Sequence, residues 1–205
     1  METKGIKAII FDLGGVLLDI DYDKTTEAFE ALGVQHFNRM YSQADANQLF
    51  KRLETGKIKP EEFCQEMMEY VPGVSCEDDV IEAWNAMLLH FRKESLEELN
   101  RLKKKYKVFL LSNTNYIHFK SFNRTYKETI GGDFVSLFDK AYLSHEIGNR
   151  KPDPEAYEYV LKENNLKPSE ALFIDDSIQN IEAADKLGIK TIFLKKGKKV
   201  EELGL

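Results

Sequence analysis

Hydrophobic residues along this chain follow two rhythms. Short continuous apolar runs, the signature of strands buried on both faces, occur at residues 6–12, 108–111, 141–144, 171–175 and 191–194. From about residue 22 to 104 the spacing is helical instead. There Asp23 is placed to cap a helix ending at Gly33, and Ser42 to cap one carrying Leu49, Phe50 and Leu53 ahead of Gly56. Pro60 suits the first position of a helix bearing Phe63, Met67 and Tyr70, which Pro72 and Gly73 terminate. Val80, Ile81, Trp84, Met87, Leu88 and Phe91 form one amphipathic stripe, read as core packing. Beyond it, Leu96, Leu99 and Leu102 sit on a helix leading into the 108–111 strand. Two more helices are expected, one opening at Asp153 and Pro154 with Ala156, Tyr159, Val160 and Leu161, the other running over 178–187 to a stop at Gly188.

Strands alternating with helices imply right-handed crossovers and a parallel sheet. The expected fold class is α/β, a three-layer Rossmann-like parallel sheet core with an inserted helical cap. Residues 1–20 and 95–205 would form the core and 21–94 the cap, packed over the carboxyl ends of the strands. At 205 residues the chain is long enough to bury a substantial core.

Composition narrows the class of activity. A formal charge of −6 disfavours a general binder of nucleic acid or anionic membrane. The lysine groups at 103–105 and 195–199 read as solvated helix ends or tails. Cys64 and Cys76 form no Cys-x-x-Cys pair and no disulfide framework, which suits a reducing compartment. No signal-peptide pattern or membrane-length apolar run is apparent, so the expectation is a cytoplasmic protein without nucleic-acid or membrane partners. Oligomeric state stays open, because core and interface stripes look alike in sequence.

Candidate chemistry gathers where strands end. Asp12 closes the first run and is followed by Leu13, Gly14 and Gly15; a carboxylate in that place is a candidate nucleophile, or else a turn cap. Ser112 and the backbone amide of Asn113 lie just past the 108–111 strand, suited to phosphate oxygens, although Ser-Asn-Thr-Asn also reads as an ordinary turn. Lys151, held beside Pro152, would neutralise charge on phosphate and nucleophile if its ammonium turns inward. Asp175 and Asp176 place two adjacent carboxylates at the end of a buried strand, an arrangement that calls for a cation or a capping role. Oxygen donors without a His/Cys cluster favour Mg²⁺.

Taken together, Ile-Ile-Phe-Asp-Leu-Gly-Gly-Val-Leu, Leu-Leu-Ser-Asn-Thr, Arg-Lys-Pro-Asp-Pro and Phe-Ile-Asp-Asp-Ser stand in the order that resembles a phosphatase of the haloacid dehalogenase superfamily with a small helical cap. The opening is also similar to a bacterial group that includes a glucose-1-phosphate phosphatase. The resemblance implies a Mg²⁺-dependent phosphomonoesterase acting on a small phosphorylated metabolite, such as a hexose 1-phosphate, through an aspartyl-phosphate on Asp12. It further implies Ser112, Asn113 and Lys151 as phosphate contacts, Asp12, Asp176 and the Gly14 carbonyl as metal ligands, and Asp175 and Asn180 as their supports.

One position departs from the family pattern. Most phosphatases of this superfamily carry an acid/base aspartate two residues after the nucleophile, and here that residue is Gly14. General acid–base help is worth roughly 10²–10⁴-fold. Asp19 or Asp21 could substitute for it, or a leaving oxygen of low basicity could make it dispensable. The alternatives are a phosphometabolite-binding protein with little or no turnover, and more remotely a haloacid dehalogenase or a phosphomutase. Tyr22, Tyr41, Phe50 and Trp84 are candidates to line the cleft.

Overall fold

The computed structural model describes residues 3–34, 37, 48–70, 74 and 76–205. Five strands form the central sheet: β1 (Ala8–Phe11), β4 (Lys107–Ser112), β5 (Lys140–Leu143), β6 (Ala171–Asp175) and β7 (Lys190–Phe193). Their spatial order is β5-β4-β1-β6-β7 and every neighbouring pair is parallel. Successive strand side chains point to opposite faces, so the continuous apolar runs supply two cores at once. Ile9, Phe11, Val108, Leu110, Leu172 and Ile174 face one helical layer. Ala8, Ile10, Phe109, Leu111, Ala171 and Phe173 face the other. The fold is therefore the α/β, Rossmann-like parallel sheet expected from the sequence.

Parallel register decides which residues meet. Phe11 lies level with Leu110 on one side and Ile174 on the other. Asp12, Ser112 and Asp175 consequently emerge at one sheet edge, around the central strand, where open α/β sheets place their ligands.

A third apolar cluster joins the helices α1 (Tyr22–Ala31), α2 (Gln48–Glu54), α3 (Pro60–Tyr70) and α4 (Glu77–Asn85) around Phe29, Phe50, Phe63 and Trp84. Two elements depart from the sequence reading. Leu88 and Phe91 belong not to the amphipathic helix but to a strand, β3 (Leu88–Phe91), paired antiparallel with β2 (Leu18–Ile20). Val80, Trp84, Leu88 and Phe91 share a helical spacing, yet the helix ends at Asn85. Ile20 and Leu88 pack against the sheet core and against the helical cluster, so this ribbon joins the two.

The first helix of this region is capped by Asp21 rather than Asp23, since the Asp23 N–H donates to Asp21 Oδ1 at 3.1 Å. The expected cap at Ser42 and the stop at Pro72 and Gly73 lie outside the described residues. Helix α5 (Lys93–Leu102) returns the chain to the sheet, and α6 (Tyr116–Thr129), which the sequence reading left unassigned, follows β4. Its signals were Asn115, whose side chain accepts the His118 N–H at 3.0 Å, and the spacing of His118, Phe122 and Tyr126. The remaining helices are α7 (Ser144–Ile147), α8 (Pro154–Glu163) and α9 (Ile178–Lys186). Among the described residues no helix is long and apolar enough to cross a membrane.

Candidate active site

The ends of β1, β4 and β6 and the loop before α8 converge on one cavity of about 150 Å³, lined among others by Asp12, Ser112, Asn113, Lys151 and Asp176. Lys151 is its electrostatic centre. Only 1% exposed, it donates from Nζ to Asp12 Oδ1 at 2.6 Å and to Asp175 Oδ2 at 2.7 Å. A buried ammonium is tolerable only when paired in this way. Burial pulls the Lys151 pKa down, but the charges and hydrogen bonds of Asp12 and Asp175 outweigh it and hold the group above its ordinary value.

The loop that presents Lys151 is fixed from the far strand. Asn113 Nδ2 donates to the Lys151 carbonyl at 2.8 Å, and the Lys151 N–H returns a bond to Asn113 Oδ1 at 2.8 Å. Reading residues 108–115 in isolation suggested only a backbone contact for Asn113. Its side chain, an amide able to donate and accept at once, is what couples β4 to the lysine loop. Ser112 is buried at the end of β4 and lines the cavity as expected.

Asp175 is fully buried and bound on all sides. Beyond Lys151, it accepts from the Ser177 N–H at 2.7 Å and from Asn180 Nδ2 at 3.1 and 3.0 Å. The helix-capping reading of the double acid is not met: the N-cap of α9 is Ser177, without a side-chain cap bond, and Asp175 lies two residues before it. Asn180 sits on Asp175, one turn into α9. Asp176 rests against Gly15: a Cβ on that glycine, whose φ is +68°, would lie 1.9 Å from Asp176 Oδ2. Glycine is needed there for the turn and for this close approach.

Asp12, Asp175 and Asp176 bring carboxylate oxygens within 4.8 Å of one another. Burial, opposed by Lys151 and reinforced by Asp175 and Asp176, pushes the Asp12 carboxyl up to about 7. Burial and then Asp175 push Asp176 up to about 6. Three carboxylates facing one ammonium leave an excess of negative charge, and a hard divalent cation with oxygen ligands is the group that resolves it. The residues present therefore fit Mg²⁺.

The candidates for a substitute acid are engaged elsewhere. Asp19 is bound to Arg92 Nε at 2.7 Å and to His90 Nε2 at 3.0 Å, and Asp21 caps α1. Arg92 also donates to the Gly15 carbonyl, tying the turn after Asp12 to the end of β3. A Cβ on Gly14 would lie 2.5 Å from Cδ1 of Ile20, the far end of a side chain that would have to turn aside for an acid there.

Of the residues expected to line the cleft, Tyr22 does so. Phe50 and Trp84 do not; both are fully buried in the helical cluster, stacked on each other at 5.0 Å between centroids. Tyr41 lies outside the described residues. The sequence reading missed Glu54, Arg150 and His118, which share the cavity wall. His118 stacks on Trp84 at 4.8 Å and shares a 2.9 Å hydrogen bond between Nδ1 and Asn85 Oδ1.

The haloacid dehalogenase-like hydrolase family model matches residues 6–188. The chain belongs to this family. A D-ribitol-5-phosphate phosphatase of Bacteroides thetaiotaomicron is 33% identical over 91% of this chain and 90% of its own length. Among solved structures, an aspartate-to-alanine mutant of a haloacid dehalogenase family enzyme from the same organism, in complex with magnesium and inorganic phosphate, superposes with a TM-score of 0.92. It is 33% identical and the match covers 98% of this chain and 99% of that one. A predicted hydrolase of the family from Porphyromonas gingivalis gives a TM-score of 0.86 at 32% identity, over 94% and 92% of the two chains.

Proposed function

We propose that this haloacid dehalogenase-like hydrolase cleaves the phosphomonoester of a small phosphorylated polyol or sugar, with Asp12 as nucleophile and Mg²⁺ as cofactor. The observation that carries this reading is the Lys151 ammonium seated between Asp12 and Asp175 while Asp176 completes a carboxylate cluster at the same strand ends. An Asp12 oxygen attacks phosphorus, the bond from phosphorus to the substrate oxygen breaks, and the acyl phosphate formed on Asp12 is then hydrolysed by water. Lys151 orients the Asp12 carboxylate and, with Ser112 and the Asn113 amide, holds phosphate oxygens. Asp12, Asp176 and the Gly14 carbonyl would hold the metal, and Asp175 and Asn180 would support them. Bound Mg²⁺ supplies neutralisation of phosphate and carboxylate charge.

The helical segment 21–94 acts in this reading as a cap that closes the cavity and meets the carbon chain of the substrate. The relatives support the substrate class: besides the D-ribitol-5-phosphate phosphatase, a phosphorylated carbohydrates phosphatase of Thermotoga maritima is 24% identical over 97% of this chain. A reducing, cytoplasmic setting belongs to the same proposal, supported by two free cysteines, Cys64 buried and Cys76 exposed.

The test is a panel of pentitol, pentose and hexose phosphates, including a hexose 1-phosphate, incubated with and without Mg²⁺. Phosphate release should require Mg²⁺ and disappear in Asp12→Asn. A panel without Mg²⁺-dependent turnover refutes the proposal.

A further inference from the structure

In the wall of the same cavity is a charged pair that the hydrolytic chemistry leaves without a task. Glu54, at the end of α2, and Arg150, directly before Lys151, both line the cavity. Their side chains are 10% and 17% exposed, and Arg150 Nε lies 2.9 Å from Glu54 Oε2. Each is thus the other's charge partner inside the cavity wall, a buried ion pair rather than two groups bound to the surrounding backbone. Burial holds the Glu54 carboxyl above its usual range, against the pull of Arg150. The pair is seated firmly: Gly56, two residues on, lies so close to the 145–150 segment that a Cβ there would be 2.2 Å from the His145 carbonyl oxygen.

We propose that Glu54 and Arg150 together read hydroxyl groups on the carbon chain of the substrate and select neutral, polyhydroxylated phosphomonoesters. The inference rests on the phosphomonoesterase reading above. An ionised carboxylate only accepts and a guanidinium only donates, whereas a hydroxyl does both and can satisfy the two together. An apolar chain in the same place would leave the remaining donors of the guanidinium and the remaining lone pairs of the carboxylate desolvated and unmet, the situation in which enzymes discriminate most strongly. A second phosphate or carboxylate on the substrate would meet Glu54, and Arg150 is already neutralised by that residue. His118 adds a third polar contact. Burial pushes its imidazole down to about 3, and with Nδ1 donating to Asn85 the neutral ring keeps Nε2 as an acceptor.

The experiment compares D-ribitol 5-phosphate, n-pentyl phosphate and 3-phosphoglycerate as substrates, with Mg²⁺, in the natural protein, Glu54→Gln and Arg150→Gln. The natural protein should favour ribitol phosphate over pentyl phosphate. Glu54→Gln should lower kcat/KM for ribitol phosphate about 10–100-fold, chiefly through KM, as loss of a charged hydrogen bond does. The same variant should lose far less on pentyl phosphate and gain on 3-phosphoglycerate, because Arg150 is then free for an anion. Arg150→Gln should also lose ribitol phosphate selectively, and decides the matter should Glu54→Gln fail to fold. Equal turnover of ribitol and pentyl phosphate by the natural protein, or a uniform loss on all three substrates in the variants, overturns the proposal in favour of a latch between α2 and the lysine loop. No Mg²⁺-dependent release from any of the three by the natural protein instead sinks the phosphomonoesterase reading, and this inference with it.

Discussion

Lys151 is one half of a buried charge balance. It is the ammonium that Asp12 and Asp175 share in a buried setting, so Lys151→Met should strand two carboxylates. Removing one partner of a buried ion pair costs about 3–5 kcal/mol, and the variant should show both a lower denaturation midpoint and lost phosphatase activity. The remaining carboxylates give a pH signature. Asp12 and Asp176 titrate near 7 and 6 in the folded chain, well above the ordinary 3.8. Between those limits the folded state binds more protons than the unfolded one, so stability of the metal-free protein falls as pH rises from about 4 to 7. Mg²⁺ competes with the same protons and should bind more tightly as pH rises through this window. Thermal denaturation at pH 5 and pH 7.5, in chelator and in Mg²⁺, checks both: the stabilisation by Mg²⁺ should be larger at pH 7.5.

Individual residues of this site were legible in the sequence to the extent that strand ends announce themselves. Asp12, Ser112, Lys151, Asp175 and Asp176 each follow a short apolar run or sit in a proline-fixed loop. Glu54, Arg150, His118 and the side-chain role of Asn113 were not legible. Each depends on a partner from a distant segment, and nothing in local spacing records which segments meet.

Among the elements, the β2–β3 ribbon has the largest consequence for chemistry. The sequence shows that an acid is absent at Gly14; the ribbon shows what lies beside it, since the end of the Ile20 side chain would be 2.5 Å from a Cβ there. Gly14→Asp alone should therefore oblige Ile20 to turn aside, and Ile20→Ala should remove that need; both forms should raise kcat on alkyl phosphates with strongly basic leaving oxygens, the pair further, by up to the ~10²–10⁴-fold of acid–base help. Steady-state kinetics on the two single variants and the pair would show this as a coupling between the two positions. Additive effects would mean that Ile20 does not control the site. Misreading β3 as helix has the same root as missing the ribbon. Leu88 and Phe91 continue the period of Val80 and Trp84, and a two-strand pairing across many residues leaves no trace in a local window.

For the whole molecule, the sheet cores and the helical cluster meet through Ile20 and Leu88. If segment 21–94 works as a cap, as proposed, weakening its own core should loosen it while sparing the sheet. Phe50→Ala removes a ring stacked on Trp84 and edge-on to Phe63, a change that costs about 3–5 kcal/mol. Limited proteolysis read by mass spectrometry should then cut within 21–94 first, leaving 95–205 protected. Cleavage spread evenly along the chain would argue for a single cooperative body.

By itself the sequence determined the alternation of strand and helix, the parallel sheet and the order of the polar strand ends, because period and burial are local properties that each run of residues carries with it. Tertiary structure alone decided that Lys151 neutralises two carboxylates, that Asn113 anchors its loop, that Ile20 lies against Gly14 and that Glu54 meets Arg150. Those are distances between segments far apart in the chain, set by strand register and by how the helices pack across the sheet edge.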